Sequence, residues 1–556
     1  MKRAVVFLII IAAACFAFFQ ATPKTRPLSE LVPSGPLLYL EATQFSQLLA
    51  DWANSPVKKA WLASDNAEVL SHSNLMIKLG DVYKEYADAA GFSPNTAAMQ
   101  SMAGDASALS VYDLREVEFL YITRLPADRA IQSAIGKLQD HFEKRDAAGF
   151  PFFVSKRKRT VAFAVANGYF ILGTREDLVA NCLTLIAGKS KNSVSADPWF
   201  AQAVSKARPA GELRMVMNLE ALVKSTYFRS YWVQRNVTAI KPFWTAIADI
   251  QRSANKIRED RLLLRAQSMP ETPLAAQSAV AELARLTPGS SGLYQIWANP
   301  GAAKVTADLE QKILSPRAIQ STDWRFAPGA AGSANAAGNE SDLEIRIDEP
   351  PLPAGTEGEF TAGPVEKLIR DNPPLAMLEI RSSRAAADPL FLKIPGVVAL
   401  MGTSNWNQSA VRNALSTAVA SIWTTSGLGV QWQSQPEFDQ MDGFAKVALA
   451  ARGKLLLIAT DPESLRSVLA RLSAQPAPNS GPSYLAGVSV AREKAPYLAM
   501  MSALDFASTQ GDGHDPAFFS ANVGSLLTSL EPLTAIAVTS RDRGSVVEES
   551  VEYRLR

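Results

Sequence analysis

The chain has 556 residues, of which 47% are hydrophobic and 20% charged, with a formal net charge of +2. That length exceeds what one core usually supports, so two or more domains are expected, and the composition excludes a predominantly disordered chain. The near-neutral charge gives no electrostatic footprint for nucleic acid.

Cysteine and histidine narrow the chemistry further. Cys15 lies in an N-terminal apolar run, which leaves Cys182 alone in the globular part, so no intramolecular disulfide is expected there. His72, His141 and His514 are too scattered for an all-histidine metal site.

Met1-Lys2-Arg3 precedes an unbroken apolar run from Ala4 to Phe19. A short basic segment before an apolar core is an export signal. Three forms stay open. An uncleaved anchor over residues 1–21 would have Gln20 and Ala21 extending the run toward the ~20 residues that span a bilayer. A lipoprotein would use Cys15, and a cleaved signal would use Ala12 and Ala14 as its small residues. Each form puts the bulk of the chain outside the cytoplasmic membrane, in the periplasm of a cell envelope. No later stretch reaches 18 apolar residues without charge.

Residues 22–33 read as a Pro-containing stalk. A first α+β module is expected over 34–349. It opens with the strand LLYLEA and a helix capped by Thr43, continues with a helix over Leu75–Ala90 stopped by Gly91, and adds strands at Ala106–Tyr112 and Glu118–Thr123. A helix from Pro126 to Phe142 follows. Strands on either side of the basic tip Ser155–Arg159 lead to Asn167-Gly168, the residue pair of a type I′ hairpin turn. Tyr169–Gly173 is the next strand. Thr174 is then expected to cap a helix whose apolar face is Leu178, Cys182, Leu185 and Ile186. A strand over Glu212–Leu219, a helical insertion over 231–286, strands at Gly292–Ala298 and Asp342–Asp348, and a flexible loop over 328–341 complete this module.

The Pro/Gly-rich linker 350–365 separates it from a second module, 366–556. There Pro374–Ile380 echoes LLYLEA, Asn405–Trp423 is helical, and Phe444–Thr460 repeats the hairpin with Arg452-Gly453 at its turn. Thr460-Asp461-Pro462-Glu463 caps a Leu-spaced helix. Tyr497–Ala503 is expected to match the strand RMVMNLEALV, and Val551–Leu555 to match Leu343–Ile347. The collinear order of these pieces indicates an internal repeat. The fold class is therefore α+β, with two related modules of mainly antiparallel sheet packed with helices, a helical insertion in the first, and an N-terminal membrane anchor.

Strand, Gly turn, strand, Thr, acidic turn and Leu helix recur at Gly168–Leu178 and Gly453–Leu465. With the anchor, this pattern resembles a group of uncharacterised bacterial envelope proteins, a domain of unknown function. The resemblance implies an extracytoplasmic location and brings no catalytic residues.

The searches for chemistry return ordinary structural readings. Gly188-Lys189-Ser190 has the ending of a phosphate-binding loop, but Leu183 stands where that motif requires Gly, so a helix stop is expected. Cys182 reads as a core residue. The Gly511–Asp515 cluster reads as a loop with Asp515 capping the next helix, and the tip Lys156–Arg159 as a solvated hairpin end. Trp232, Trp244, Trp297, Trp406 and Trp423 read as core. No catalytic, cofactor-binding or metal-ligating residue is assigned. The function expected is a non-enzymatic binding or scaffolding role, with the cytoplasmic membrane as one partner through the N-terminal segment, an envelope protein or polymer as another, and no nucleic acid. The alternatives are an envelope hydrolase with a dispersed carboxylate pair and a structural spacer.

Overall fold

The computed structural model describes residues 26–225, 228, 239–289, 291–309, 363–381, 396–423, 431–442, 447–472, 480–508 and 518–556. They combine helices with antiparallel sheet, an α+β arrangement. The chain forms two compact units. The first spans Met1–Lys58, Val69–Arg252 and Asp260–Gln267, and the second Lys59–Glu68, Ser253–Glu259 and Ser268–Arg556.

In the first unit the strands are β1 (Leu38–Thr43), β2 (Ala106–Asp113), β3 (Glu118–Arg124), β4 (Glu143–Ala147), β5 (Phe150–Lys156), β6 (Thr160–Ala166), β7 (Tyr169–Gly173), β8 (Leu213–Asn218) and β9 (Phe243–Ser253), followed by β10 (Lys256–Arg265). Pairing places them in the order β4-β5-β6-β7-β3-β2-β1-β8-β9-β10. Alternation of side chains sends Ala162, Ala164 and Ile171 to one face and Phe163 and Phe170 to the other. The first face packs against Leu28, Leu31 and the helices Glu176–Ile186 and Pro198–Lys206. The second packs against Ala89 and Ala90 of the helix Asn74–Ala90 and against Met102, Leu125 and Ile135. Phe163 stacks on Phe153 at 5.2 Å and meets the edge of Phe142 at 5.1 Å. Burying a ring of this kind contributes about 1.5–3 kcal/mol.

In the second unit the strands are β11 (Leu293–Ala298), β12 (Pro374–Arg381), β13 (Gly396–Gly402), β14 (Gln431–Ser434), β15 (Asp439–Asp442), β16 (Val447–Arg452), β17 (Leu455–Ala459), β18 (Tyr484–Val488), β19 (Leu533–Asp542) and β20 (Val546–Leu555). Their order is β14-β15-β16-β17-β13-β12-β11-β18-β19-β20, strand for strand the pairing of the first unit. Again both faces are covered. Val280 and Leu283 of the helix Leu274–Leu286 and Leu465 and Val468 of the helix Pro462–Leu469 lie on one side, and Trp406, Val411 and Leu415 on the other.

This pairing corrects several expectations. Residues 243–253 and 256–265 are the strands β9 and β10, and within the expected insertion 231–286 helix is described at 239–240 and at Leu274–Leu286, residues 231–238 lying outside the described residues. Helix-favouring Ala, Arg, Glu and Leu are overridden there by edge-to-edge pairing with β8, Met217 opposite Ala246. The strand LLYLEA corresponds by position to β11 (LYQIWA) and not to Pro374–Arg381, which takes the place of β2. The second unit therefore includes Ser268 onward rather than starting after 350–365, and Pro364–Asp371 is helical. Tyr497–Ala503 lies within the helix Val490–Ser508, and β18 is the true counterpart of β8. Pro126–Phe142 divides at Ser133, whose hydroxyl bonds the Ala130 carbonyl, into a short α-helix and a 3-10 turn. The strand expected at Asp342–Asp348, the loop 328–341, and residues 1–25 and 350–362 lie outside the described residues.

The turns and caps also sharpen. Asn167 and Gly168 both take positive φ (50° and 79°), as a type I′ turn requires. In the second unit Arg452 pairs with Leu455, so the turn residues are Gly453-Lys454, one position later than expected. Thr43 ends β1, and Gln44 precedes the helix Phe45–Asn54. Thr174 does not cap its helix either. Its hydroxyl accepts the Phe119 amide at 2.8 Å while its own amide bonds the Phe119 carbonyl, fastening the end of β7 to the start of β3. Thr460 does the same to Gly396 at 2.9 Å. Asp461 supplies the cap in the second unit, accepting from Glu463 and Ser464.

A buried ion pair joins β8 and β9, toward the β10 end of the first sheet. Arg214 on β8 and Asp249 on β9 face each other, with both nitrogen–oxygen contacts at 2.8 Å. Removing one partner leaves an uncompensated buried charge, so Asp249→Ala is expected to cost about 3–5 kcal/mol in chemical denaturation. Thr174→Val and Thr460→Val each strand a backbone amide, and each is expected to cost about 1–3 kcal/mol. A wild-type stability in either threonine variant would show the clasp to be dispensable.

Candidate functional site

The helix Glu176–Ile186 leaves β7 with its apolar side pressed into the core, where Leu178, Val179, Cys182 and Leu183 are buried. Cys182 is fully enclosed, and burial pushes its thiol well above its ordinary range, so it stays protonated and inert. The helix ends as its sequence requires. Gly188 takes φ +71°, its amide bonds Leu185, and the Lys189 amide bonds Thr184, the paired contacts of a Schellman stop. The apparent phosphate loop is therefore a helix C-terminus.

Beside the outer side of this helix lies a cavity of about 310 Å³, lined among others by Pro33, Ser34, Tyr112, Asn181, Ser190 and Asn192. Its rim is held by a single bridge, Pro33 opposite Ser193, with the Ser34 amide on the Asn192 carbonyl at 3.2 Å. Asp197 anchors the same loop by accepting the Ser34 hydroxyl and, at 2.9 Å, the Gly35 amide. Leu178 and Leu185 also line the cavity, and Tyr112 donates its phenol to the Pro33 carbonyl at 2.7 Å. Burial pushes that phenol above its ordinary range. Arg175 lines one side but is committed. It bonds Asp177 at 2.6 Å and Glu118 at 3.0 Å, and the Asp177 contact leads in raising its pKa. The cavity is thus close to charge-balanced. The carboxamides of Asn181 and Asn192 have no side-chain hydrogen bond among the described residues, and both are exposed. Such a site can hold a small polar ligand by hydrogen bonds.

The other sequence candidates fall elsewhere. Three cations of the basic tip are paired inside their own unit: Arg157 meets Asp88 at 2.8 Å, Lys158 meets Glu85, and Arg159 bonds both Glu85 at 2.9 Å and Glu116 at 2.8 Å. The Arg159 guanidinium also lies 5.6 Å above the Tyr86 ring. Asp88 and Glu85 come from the helix Asn74–Ala90 and Glu116 from the turn between β2 and β3, a pairing that the run Lys156–Arg159 does not reveal by itself. Trp406 is buried and donates to the Lys454 carbonyl at 2.8 Å, while Trp244 and Trp297 pack at the margins of two cores. Trp232, His514 and Gly511–Asp515 lie outside the described residues, as does the side chain of Trp423. No three metal-ligating side chains converge among the described residues.

Sequence reasoning missed one feature. The helical connection from β1 to β2 leaves Trp52, Val69, Ile77, Tyr83 and Met99 exposed. Its helices Phe45–Asn54 and Thr96–Ser101 contain no buried residue. Their apolar spacing imitates an ordinary core-facing helix, so only the accessible surface distinguishes them.

No family model matches the chain, and no curated relative matches its sequence. Among solved structures, crystal form IV of TP0453 matches with a TM-score of 0.24 and 11% identity, over 42% of this chain and 79% of that one. Crystal form III of the same protein gives 0.25 and 12%, over 45% and 84%. At that level neither fold nor function is transferred.

The tip gives a pH test. Hydrogen bonds from Lys158 and then Arg159 hold the Glu85 carboxyl below its ordinary value. A depressed carboxylate stabilises the fold above its unfolded pKa, about 4.3, and that gain is lost as pH falls through the folded value. Glu85→Gln is therefore expected to be less stable than wild type in urea at pH 7, with the gap closing toward pH 3. A gap independent of pH would remove the tip pairing as its cause.

Proposed function

We propose that the chain is a membrane-anchored, extracytoplasmic envelope protein that binds or scaffolds rather than catalyses, built from two copies of one α+β module. The repeat is supported by the identical strand pairing in the two units and by the matched Thr174 and Thr460 clasps. The anchor reading rests on Lys2-Arg3 followed by the apolar run Ala4–Phe19. Among the described residues no helix is long and apolar enough to cross a membrane, and the run itself lies outside them.

One observation carries the binding reading. The cavity beside Glu176–Ile186 presents Asn181 and Asn192 uncommitted, while Arg175 and Tyr112 are tied to neighbours. Polar groups that converge without an activated acid, base or nucleophile suit recognition better than group transfer. An envelope protein or polymer is the ligand this reading favours.

Two measurements test it. Alkaline extraction is expected to leave the chain in the membrane pellet, and protease added outside the cytoplasmic membrane is expected to degrade its bulk; a protease-resistant chain would overturn the location. A photocrosslinking residue at Asn181 is expected to capture a repeatable envelope component that the same residue at Leu274, exposed in the second unit, does not. Identical capture from both positions would overturn the cavity's role.

A further inference from the structure

Three short helices of the first unit gather at one end of its sheet. β1 ends at Thr43 opposite Ala106, and Ser107 stands opposite Thr123, so the helix Phe45–Asn54 leaves the sheet at the same end as the close of β3. The helix Thr96–Ser101 returns to that end, where the Met102 carbonyl accepts the Tyr121 phenol at 3.0 Å. Tyr121 also meets the Phe45 ring at 6.3 Å. The helix Ala127–Gln132 follows β3 directly, and the next segment is tied back by the Ala134 amide on the Ser101 hydroxyl at 3.2 Å. Neighbour packs on neighbour along this row. Each helix exposes a large apolar side chain: Trp52 is 52% exposed, Met99 40% and Ile131 57%.

The chain enters the unit at this same end. Arg124, the last residue of β3, donates to the Arg26 carbonyl at 2.8 Å. Between Arg26 and the end of the apolar run at Phe19 lie only the six residues Gln20–Thr25. Fully extended they reach at most about 20 Å. If the run is in the membrane, the row of helices stands at the bilayer surface.

We propose that this end of the first unit is seated on the lipid bilayer, with Trp52, Met99 and Ile131 in its interfacial layer. The inference rests on the anchor reading given above. Tryptophan is the side chain that favours this depth, because its ring is apolar and its indole N–H still finds water or a headgroup. Charge on the exposed helix is mixed, Asp128 beside Arg129, so apolar contact carries the attachment and anionic lipid is not needed. The contact should therefore survive high salt.

The test uses the full chain reconstituted in phosphatidylcholine vesicles with brominated acyl chains. The apolar run contains no tryptophan, so quenching reports on the folded part. Part of the emission is expected to be quenched, unchanged by added salt, and that part is expected to be lost in Trp52→Phe and reduced in the double variant Met99→Ser/Ile131→Ser. Quenching that persists in Trp52→Phe, or is absent in wild type, overturns the proposal. Trp52 shielded from aqueous iodide yet untouched by bromolipid would mean that a second copy or another protein covers the patch, which also overturns it. The two readings separate by alkaline extraction. A chain that stays in the vesicle without Trp52 quenching keeps its anchor and loses the seat, and a chain that washes off loses both.

Discussion

The join between β7 and β3, and its equal between β17 and β13, is the contact on which each unit depends. It fastens a locally folded meander of four strands to a second run of strands drawn from distant parts of the sequence. The hydroxyl of Thr174 or Thr460 completes the last rung where a helix is about to leave, so no backbone amide is stranded at the branch. From there the helix falls across the sheet and buries one face. Without that fixed departure, the cavity beside Glu176–Ile186 would have no wall.

What could be read from the residues follows from the range of the forces involved. Asn167-Gly168, Gly91 and Gly188 act within a few residues, and the structure places a turn and two helix stops where they stand. The α+β class was equally plain from alternating and Leu-spaced segments. Strand identity across the repeat was not. LLYLEA and PLAMLEI look alike as apolar strands, yet their neighbours in the sheet differ. Residues 243–265 carry helix-favouring side chains and still form strands, because the pairing partner at β8 is remote in sequence. Thr174 has the chemistry of a cap and serves instead as a cross-strand tie. In each case a long-range partner decided between two local options of similar energy.

The candidate site was invisible for the same reason. Pro33, Tyr112, Asn181 and Asn192 share no motif and no spacing, and are brought together only when the N-terminal segment bridges to Ser193. The basic tip taught the converse lesson. Four adjacent positive residues suggested an outward-facing charge, and the acids that answer three of them lie on Asn74–Ala90 and at Glu116.

The position of β1 has a consequence for how the protein is made. Leu38 pairs on one side with Val111 and on the other with Met217. Synthesis delivers β1 long before β8, so the middle of the first sheet keeps an open edge until residue 218 has emerged. An unpaired apolar edge invites wrong partners for as long as it stays bare. Folding of this unit is then timed by chain elongation rather than by its own local contacts, and a pause between β2 and β8 would cost more native protein than a pause after β9.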